Sequence, residues 1–271
     1  MVYPLPSGAS DPFGEGSPQS EQGRQRPPGD RLAYASAYES LTFPFVTRSG
    51  AEMMVFLTAQ SVFDLVRSGP AARRIRRIVR HSGGQQALAG AGRKPLEPAD
   101  LKRLDQLSLK HGLDILRLGP DDCGVLPTYW RTVATSHGRF ALLSAGLQHA
   151  EAPGMLLVEV MGGPEMAQAD NLAEVIAHLE SQRLGVIVHV APDVGLARRL
   201  AGLRIQCLAI DFAGVDHAGA RTWNEAAGLI AAARTTAPKL MLLNLRPEWG
   251  EAAALAGATH AVFAPMEPVT V

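Results

Sequence analysis

From about residue 98 onward the chain repeats one unit, a short run of apolar residues followed by a longer amphipathic segment. DLKRLDQLSLKHGLDIL predicts a helix with Leu101, Leu104 and Leu107 on one side. GVLPTYW predicts a strand and HGRFALLSAGLQHA a helix. MLLVEVM is apolar at nearly every position, and NLAEVIAHLESQRL after it predicts a helix closed by Gly185. GVIVHVA, IQCLAID, KLMLLNL and HAVFA continue the strands, with helices predicted over VGLARRLAGL, TWNEAAGLIAAARTTA and WGEAAALAGA. Strands this apolar are covered on both faces, so the alternation implies a parallel sheet wrapped by helices.

The region before residue 98 is less regular. Residues 1–30 are rich in Pro, Gly, Ser, Gln and charge, cannot bury enough apolar surface to offset their ordering entropy, and predict a disordered tail ahead of one domain over 31–271. ESLTFPFVT and EMMVFLTAQ predict two strands joined by the turn RSGA. SGPAARRIRRIVRHSGG, bounded by glycine at both ends, predicts a short helix. Its Ile75, Ile78 and Val79 share one face, and Arg73, Arg74, Arg76, Arg77 and Arg80 occupy the rest. GGQQALAGAGRKPLEP predicts a loop. Six strands from GVLPTYW onward and the two earlier ones total eight, the number that closes a (β/α)8 TIM-like barrel. An open doubly wound sheet is the alternative, but no strand is followed by GxGxxG or GxxxxGK[ST].

Charge changes the picture little. Lys+Arg and Asp+Glu are both 26, so no global field draws the chain to nucleic acid or anionic lipid. Any such contact needs a local patch, and the arginine cluster is the strongest candidate for a partner or anion site. A solvated face is the plainer reading of the same residues. With 6% aromatics there is no interleaved platform for single-stranded nucleic acid. No apolar run reaches the roughly 20 residues that span a bilayer, and the first residues, which lack a basic start followed by an apolar block, predict no signal peptide. Cys123 and Cys207 lie far apart and outside any CxxC, as expected of reduced, buried thiols in a cytoplasmic protein.

Reactive groups of a barrel stand at the C-terminal ends of its strands. Those positions carry Tyr129, Glu159, Ala191 with Pro192, Asp211, and Leu243 to Arg246. A metal site of Glu159, His189 and Asp211 is geometrically conceivable, since neighbouring strands lie about 5 Å apart. A hydrogen-bonded core histidine and a helix-capping carboxylate explain the same residues. No Gly-x-Ser-x-Gly occurs, and the remaining histidines show no HxH or HExxH spacing.

The stretch from Gly124 to Pro265 resembles the EAL domain family, the barrel phosphodiesterases that hydrolyse cyclic di-GMP. MLLVEVM looks like the family strand LVLEITE, and SQRLGVIVHVAPDVG is similar to the segment ending in DDFGTG. LARRLAGLRIQCLAIDF matches the run ending in LKIDRSF, and KLMLLNLRPEWGEAAALAGATHAVFA follows the outline of VIAEGVETEEQ and its closing strand. VLPTYWRTVATSHGRFALL resembles the VNLS strand and its helix. ESL at 39–41 and MMVFLTA are the candidates for the E-A-L strand itself. The resemblance implies an EAL-type barrel in which Glu159 and Asp211 are remnants of the metal-binding set. The other ligands have no counterpart: the DDFG pair falls on Ala191 and Pro192, the Lys of LKID on Ala209, the two Glu of the AEGVE strand near Leu243 and Arg246, and the Asn of VNLS near Tyr129. Asp193 is the sole carboxylate beside the DDFG-like strand.

Two-metal hydrolysis needs several carboxylates to hold two cations about 4 Å apart. The resemblance with its ligands erased therefore implies a catalytically inactive domain, without cofactor or resident metal, acting through a protein partner in bacterial signalling, polarity or motility. A cyclic di-GMP receptor that binds without cleaving is the second reading, and a metal-dependent enzyme of another barrel class the third. The resemblance also brings an expectation of a homodimer through APDVGLARRLAGL, opposed by Arg198 and Arg199 on that helix.

Overall fold

A computed structural model of the chain describes residues 39–81, 96–118, 122–147, 155–213 and 220–264. The segment expected to be a tail, and most of the GGQQALAGAGRKPLEP loop, lie outside these residues. The two expected N-terminal strands form an antiparallel hairpin of β1 (Ser40–Val46) and β2 (Glu52–Asp64), with Ser40 opposite Thr58 and Val46 opposite Glu52. Between them Thr47 accepts from the Gly50 N–H at 3.0 Å, with Gly50 at φ +83°, a conformation glycine enters without a Cβ clash.

The arginine-rich segment is a strand, which corrects the helix expected there. β3 (Gly69–His81) runs antiparallel to β2, with Ile75, Arg77 and Val79 on one face and Arg74, Arg76, Ile78 and Arg80 on the other. Ile75 and Val79 are spaced for either a helix or a strand. The residue that hides the two-residue period is Arg77, a charge on the buried face.

After β3 come β4 (Cys123–Tyr129), β5 (Met155–Met161), β6 (Gly185–Val190), β7 (Cys207–Asp211), β8 (Lys239–Leu245) and β9 (His260–Phe263). Each pairs parallel with the one before it. β9 closes onto β2 at Phe63–Ala261 and Asp64–His260. The closed ring is thus β2 to β9, eight strands, as the TIM-like barrel requires. Its membership differs from the expected one: β3 belongs to the ring, and β1 stands outside it.

The helices are α1 (Pro98–Leu116), α2 (Trp130–Val133), α3 (Ser136–Leu147), α4 (Ala169–Ser181), α5 (Val194–Arg199), α6 (Ala220–Arg234) and α7 (Gly250–Ala256). Residues of one strand parity, such as Val158, Val188, Leu208 and Leu242, join Leu172, Ile176 and Ile230 of the helices in the main core. Residues of the other parity, among them Val125, Leu157, Ile187, Met241 and Leu243, are buried in the barrel interior, which is packed like the interior of other barrels. α4 is not closed by Gly185, which opens β6; the left-handed residue after the helix is Arg183, at φ +62°. Cys123 and Cys207 are free and buried, and burial pushes their thiols up to about 11 and about 12, so neither is a thiolate at neutral pH. Among the described residues no helix is long and apolar enough to cross a membrane.

α1 is fastened to the strands by two buried acids. Asp100 accepts from the Arg48 N–H at 3.1 Å. Asp105, fully buried, accepts from Arg77 Nη1 at 2.7 Å, the Thr128 hydroxyl at 3.2 Å and the Tyr129 N–H at 3.1 Å. Gly112 lets the helix sit close, because a Cβ there would stand 2.4 Å from Leu126 Cδ2. Among the described residues β1 is the edge strand of the sheet. The Ala59 N–H donates to the Glu39 carbonyl at 2.9 Å, so the even residues of β1 turn their backbone groups outward; Pro44 is one of them and interrupts that edge without losing a bond to β2.

Asp105→Ala leaves the Arg77 guanidinium buried and unpaired, and urea unfolding should register a loss of about 3–5 kcal/mol. A loss below about 1 kcal/mol would contradict the role given to this pair.

Candidate functional site at the barrel mouth

The interior face of β3 carries Arg74, that of β5 Glu159, and that of β6 His189. Parallel pairing sets Glu159 level with Ile187, one turn of the pleat below His189. β2 contributes Gln60, directly opposite Arg74. These four side chains meet near the C-terminal ends of the parallel strands. Arg74 Nε donates to Glu159 Oε2 at 2.6 Å and Nη2 donates to Oε1 at 2.8 Å. Its remaining nitrogen, Nη1, donates to Gln60 Oε1 at 2.9 Å. His189 Nδ1 lies 2.7 Å from Glu159 Oε1 and donates to it, since an ionised carboxylate can only accept.

Glu159 is completely buried, and Arg74 is 5% exposed. Burial alone would push the Glu159 carboxyl up. The Arg74 guanidinium and the hydrogen bonds from His189 and Arg74 outweigh it and hold the group at about 2. Burial likewise opposes the charge of Arg74, yet Glu159 and, more weakly, Asp211 keep its pKa above the usual value. The two charges are each other's main compensation.

Asp211 ends β7 in a separate arrangement. Its Oδ1 accepts from Asn244 Nδ2 at 2.6 Å and from the Ala213 N–H at 2.8 Å. Asn244 sits at φ +54°, where the β8–β9 register shifts between Leu243 and Leu245, and this bulge turns its amide toward Asp211.

The structure thus brings Glu159 and His189 together and leaves Asp211 to Asn244. Among the described residues no group of three or more His, Cys, Asp and Glu side chains is placed to hold a metal ion. Asp193, the remaining carboxylate near β6, is exposed and caps α5 by accepting from the Leu196 N–H at 2.9 Å. The positions matching the family's other ligands are Ala191 and Pro192 at the exposed end of β6, buried Ala209 and Leu243, and exposed Arg246. Tyr129 lies under the Arg77 guanidinium, 4.5 Å from ring centroid to Cζ. A divalent pair does not fit this donor set, because both Glu159 oxygens already accept from cationic or ring N–H groups.

Of the five arginines of β3, three are paired, Arg74 and Arg77 inside and Arg73 at the surface. Arg73 donates to the Leu116 carbonyl and to Glu39, Arg74 to Glu159, and Arg77 to Asp105. Sequence reasoning found Glu159, His189 and Asp211 but missed Arg74, Gln60 and Asn244 as parts of the site. The signal for Asn244 was its position as the one polar side chain within the run LMLLNL. For Arg74 it was the strand parity of β3, concealed by the helical reading.

Arg74→Met or Glu159→Leu alone should each cost about 3–5 kcal/mol in urea unfolding, with the double variant costing far less than the two singles added. Additive losses would show that the pair does not interact as described. The carboxyl drops from an ordinary 4.5 to about 2 on folding, so its contribution is complete above 4.5 and fades as pH falls toward 2. Acid unfolding of the double variant should lack that part of the pH dependence; an unchanged acid limb would contradict the assignment.

No family model matches the chain, and no curated protein matches it in sequence. Solved structures do match. A phosphodiesterase described as PaMucR, in complex with c-di-GMP, aligns over 77% of this chain and 89% of its own at 13% identity and a TM-score of 0.56. The FimX EAL domain from Pseudomonas aeruginosa, bound to c-di-GMP, aligns over 76% and 87% at 15% identity and a TM-score of 0.55. An EAL domain protein from Listeria monocytogenes aligns over 77% and 85% at 13% identity and a TM-score of 0.52. Likeness at such low identity concerns the backbone, and what it shows is that this chain has the barrel fold of the EAL domains.

Proposed function

We propose that this barrel is a non-catalytic EAL-type domain, working in the cytoplasm by binding, as a protein-interaction or regulatory scaffold in bacterial signalling. The observation that carries the reading is the state of Glu159. Its two oxygens accept three hydrogen bonds, two from Arg74 and one from His189. Mg²⁺ demands near-ideal octahedral oxygen coordination, and a guanidinium already neutralises the acid that would supply part of it. Asp211 is the other acid retained at the mouth, and its Oδ1 is held by Asn244 and a backbone amide. Replacing metals by an internal cation keeps the barrel electrostatically balanced while removing the means of activating water.

A second reading is that the mouth receives cyclic di-GMP without cleaving it. The fold shared with proteins whose structures hold c-di-GMP favours it. A metal-dependent reaction at Glu159, His189 and Asp211 is disfavoured, because Asp211 and the Glu159–His189 pair do not form one ligand group.

The purified protein incubated with cyclic di-GMP and Mg²⁺ or Mn²⁺ should release no linear dinucleotide above a protein-free control. Turnover would overturn the proposal. Calorimetric titration with the same dinucleotide separates the two binding readings. Absence of heat at high micromolar ligand removes the receptor reading, and saturable binding without turnover replaces the scaffold reading with it.

A further inference from the structure

We infer that the outer part of the β1–β2–β3 sheet is a docking face for an acidic, partly apolar segment of a protein partner, gripped by Arg76 and Arg80. The inference rests on the scaffold reading and names the surface that would serve it. Three ladders cross the strands on this face. Ser40, Thr58 and Arg76 form one, Thr42, Phe56 and Ile78 the next, and Pro44, Met54 and Arg80 the third. The opposite face, with Phe45, Met53, Val55, Leu57, Ile75 and Val79, is buried. Phe56, Met54 and Ile78 are only partly buried and take no part in the main core, although apolar side chains of their size ordinarily join one.

The two arginines of this face differ from the other three of β3. Among the described residues neither Arg76 nor Arg80 makes a hydrogen bond or an ion pair; Arg80 only stacks over Phe56, at 5.5 Å. Their Cα atoms, four residues apart on one strand, stand about 13 Å from each other, with Ile78 between them. Glu52, the acid at the far corner beside Val46, has an interaction of its own.

Two guanidiniums framing an apolar row fit a protein segment better than a polyanion. Anionic membranes are held by clusters of about 4–8 basic residues, and nucleic acid by many phosphate contacts. Protein interfaces instead favour an aromatic and apolar centre with arginine beside it. Carboxylates spaced along an extended segment would each meet one guanidinium in a charge-assisted pair. Pro44 lacks the N–H that a further strand would need on the outer side of β1, so the face, and not the edge, receives the segment.

The probe is a fluorescent peptide of alternating glutamate and leucine, titrated into the full chain with anisotropy as readout, beside its glutamine–leucine counterpart. The acidic peptide should bind, the neutral one should bind far less, and R76E/R80E should weaken binding about tenfold or more, as loss of two charge-assisted pairs implies. R198E/R199E, which reverses two exposed charges on α5, should leave it unchanged. R76Q/R80Q guards against a folding defect, with thermal unfolding checked for each variant; among the described residues neither guanidinium makes a hydrogen bond or an ion pair, so the transition should stay in place. Equal binding by R76E/R80E and wild type, equal weakening by the α5 variant, or binding confined to phosphatidylserine vesicles overturns the inference. Turnover of cyclic di-GMP would sink the scaffold reading but not this binding result, so the two failures are distinguishable.

Discussion

A carboxylate sealed inside a barrel has to be compensated by something, since an unpaired charge in such a place costs several kcal/mol even after relaxation. In an interior built for cations the compensation comes from metal ions. Here it comes from the chain itself, through the guanidinium of Arg74 laid bidentate on Glu159 and steadied by Gln60. That exchange governs how the strands meet. Arg74 lies at the short contact where β3 pairs with β4, and Glu159 lies on β5, so the ion pair ties the antiparallel hairpin to the parallel part of the barrel.

The same arrangement commits the acids and bases at the mouth to partners within the chain. His189 is close to Glu159, as a general base and its orienting carboxylate often are. In this barrel the carboxylate is committed on its other side to Arg74, and Asp211 is turned to Asn244. Beyond the mouth, β2 and β3 continue with β1 as a three-stranded sheet. Its inward residues serve the core, and its other face carries the arginines that the interior does not use.

Most of the barrel could be read from the sequence because its parallel strands are apolar on both faces and its helices keep their periods. MLLVEVM, GVIVHVA and KLMLLNL were each unmistakable as buried strands. β3 was not legible, and the reason is specific. A strand whose buried face includes Arg77 has no apolar alternation, and only Asp105, contributed by a helix about 28 residues later, makes that position tolerable. The same long-range dependence hid Arg74, which reads as a surface charge until Glu159 is seen opposite it, 85 residues on. Glu159 and Asp211 were legible as carboxylates at strand ends and through the resemblance of their strands to family motifs. What occupies their oxygens was not, because hydrogen bonds across a barrel leave no trace in local spacing.

The most direct test of an interior balanced by its own cation is an anomalous difference map from crystals grown with manganese. The account predicts no manganese peak within coordination distance of Glu159, with the Arg74 guanidinium still in place on its two oxygens. A manganese ion bound to Glu159, with Arg74 swung away, would contradict it.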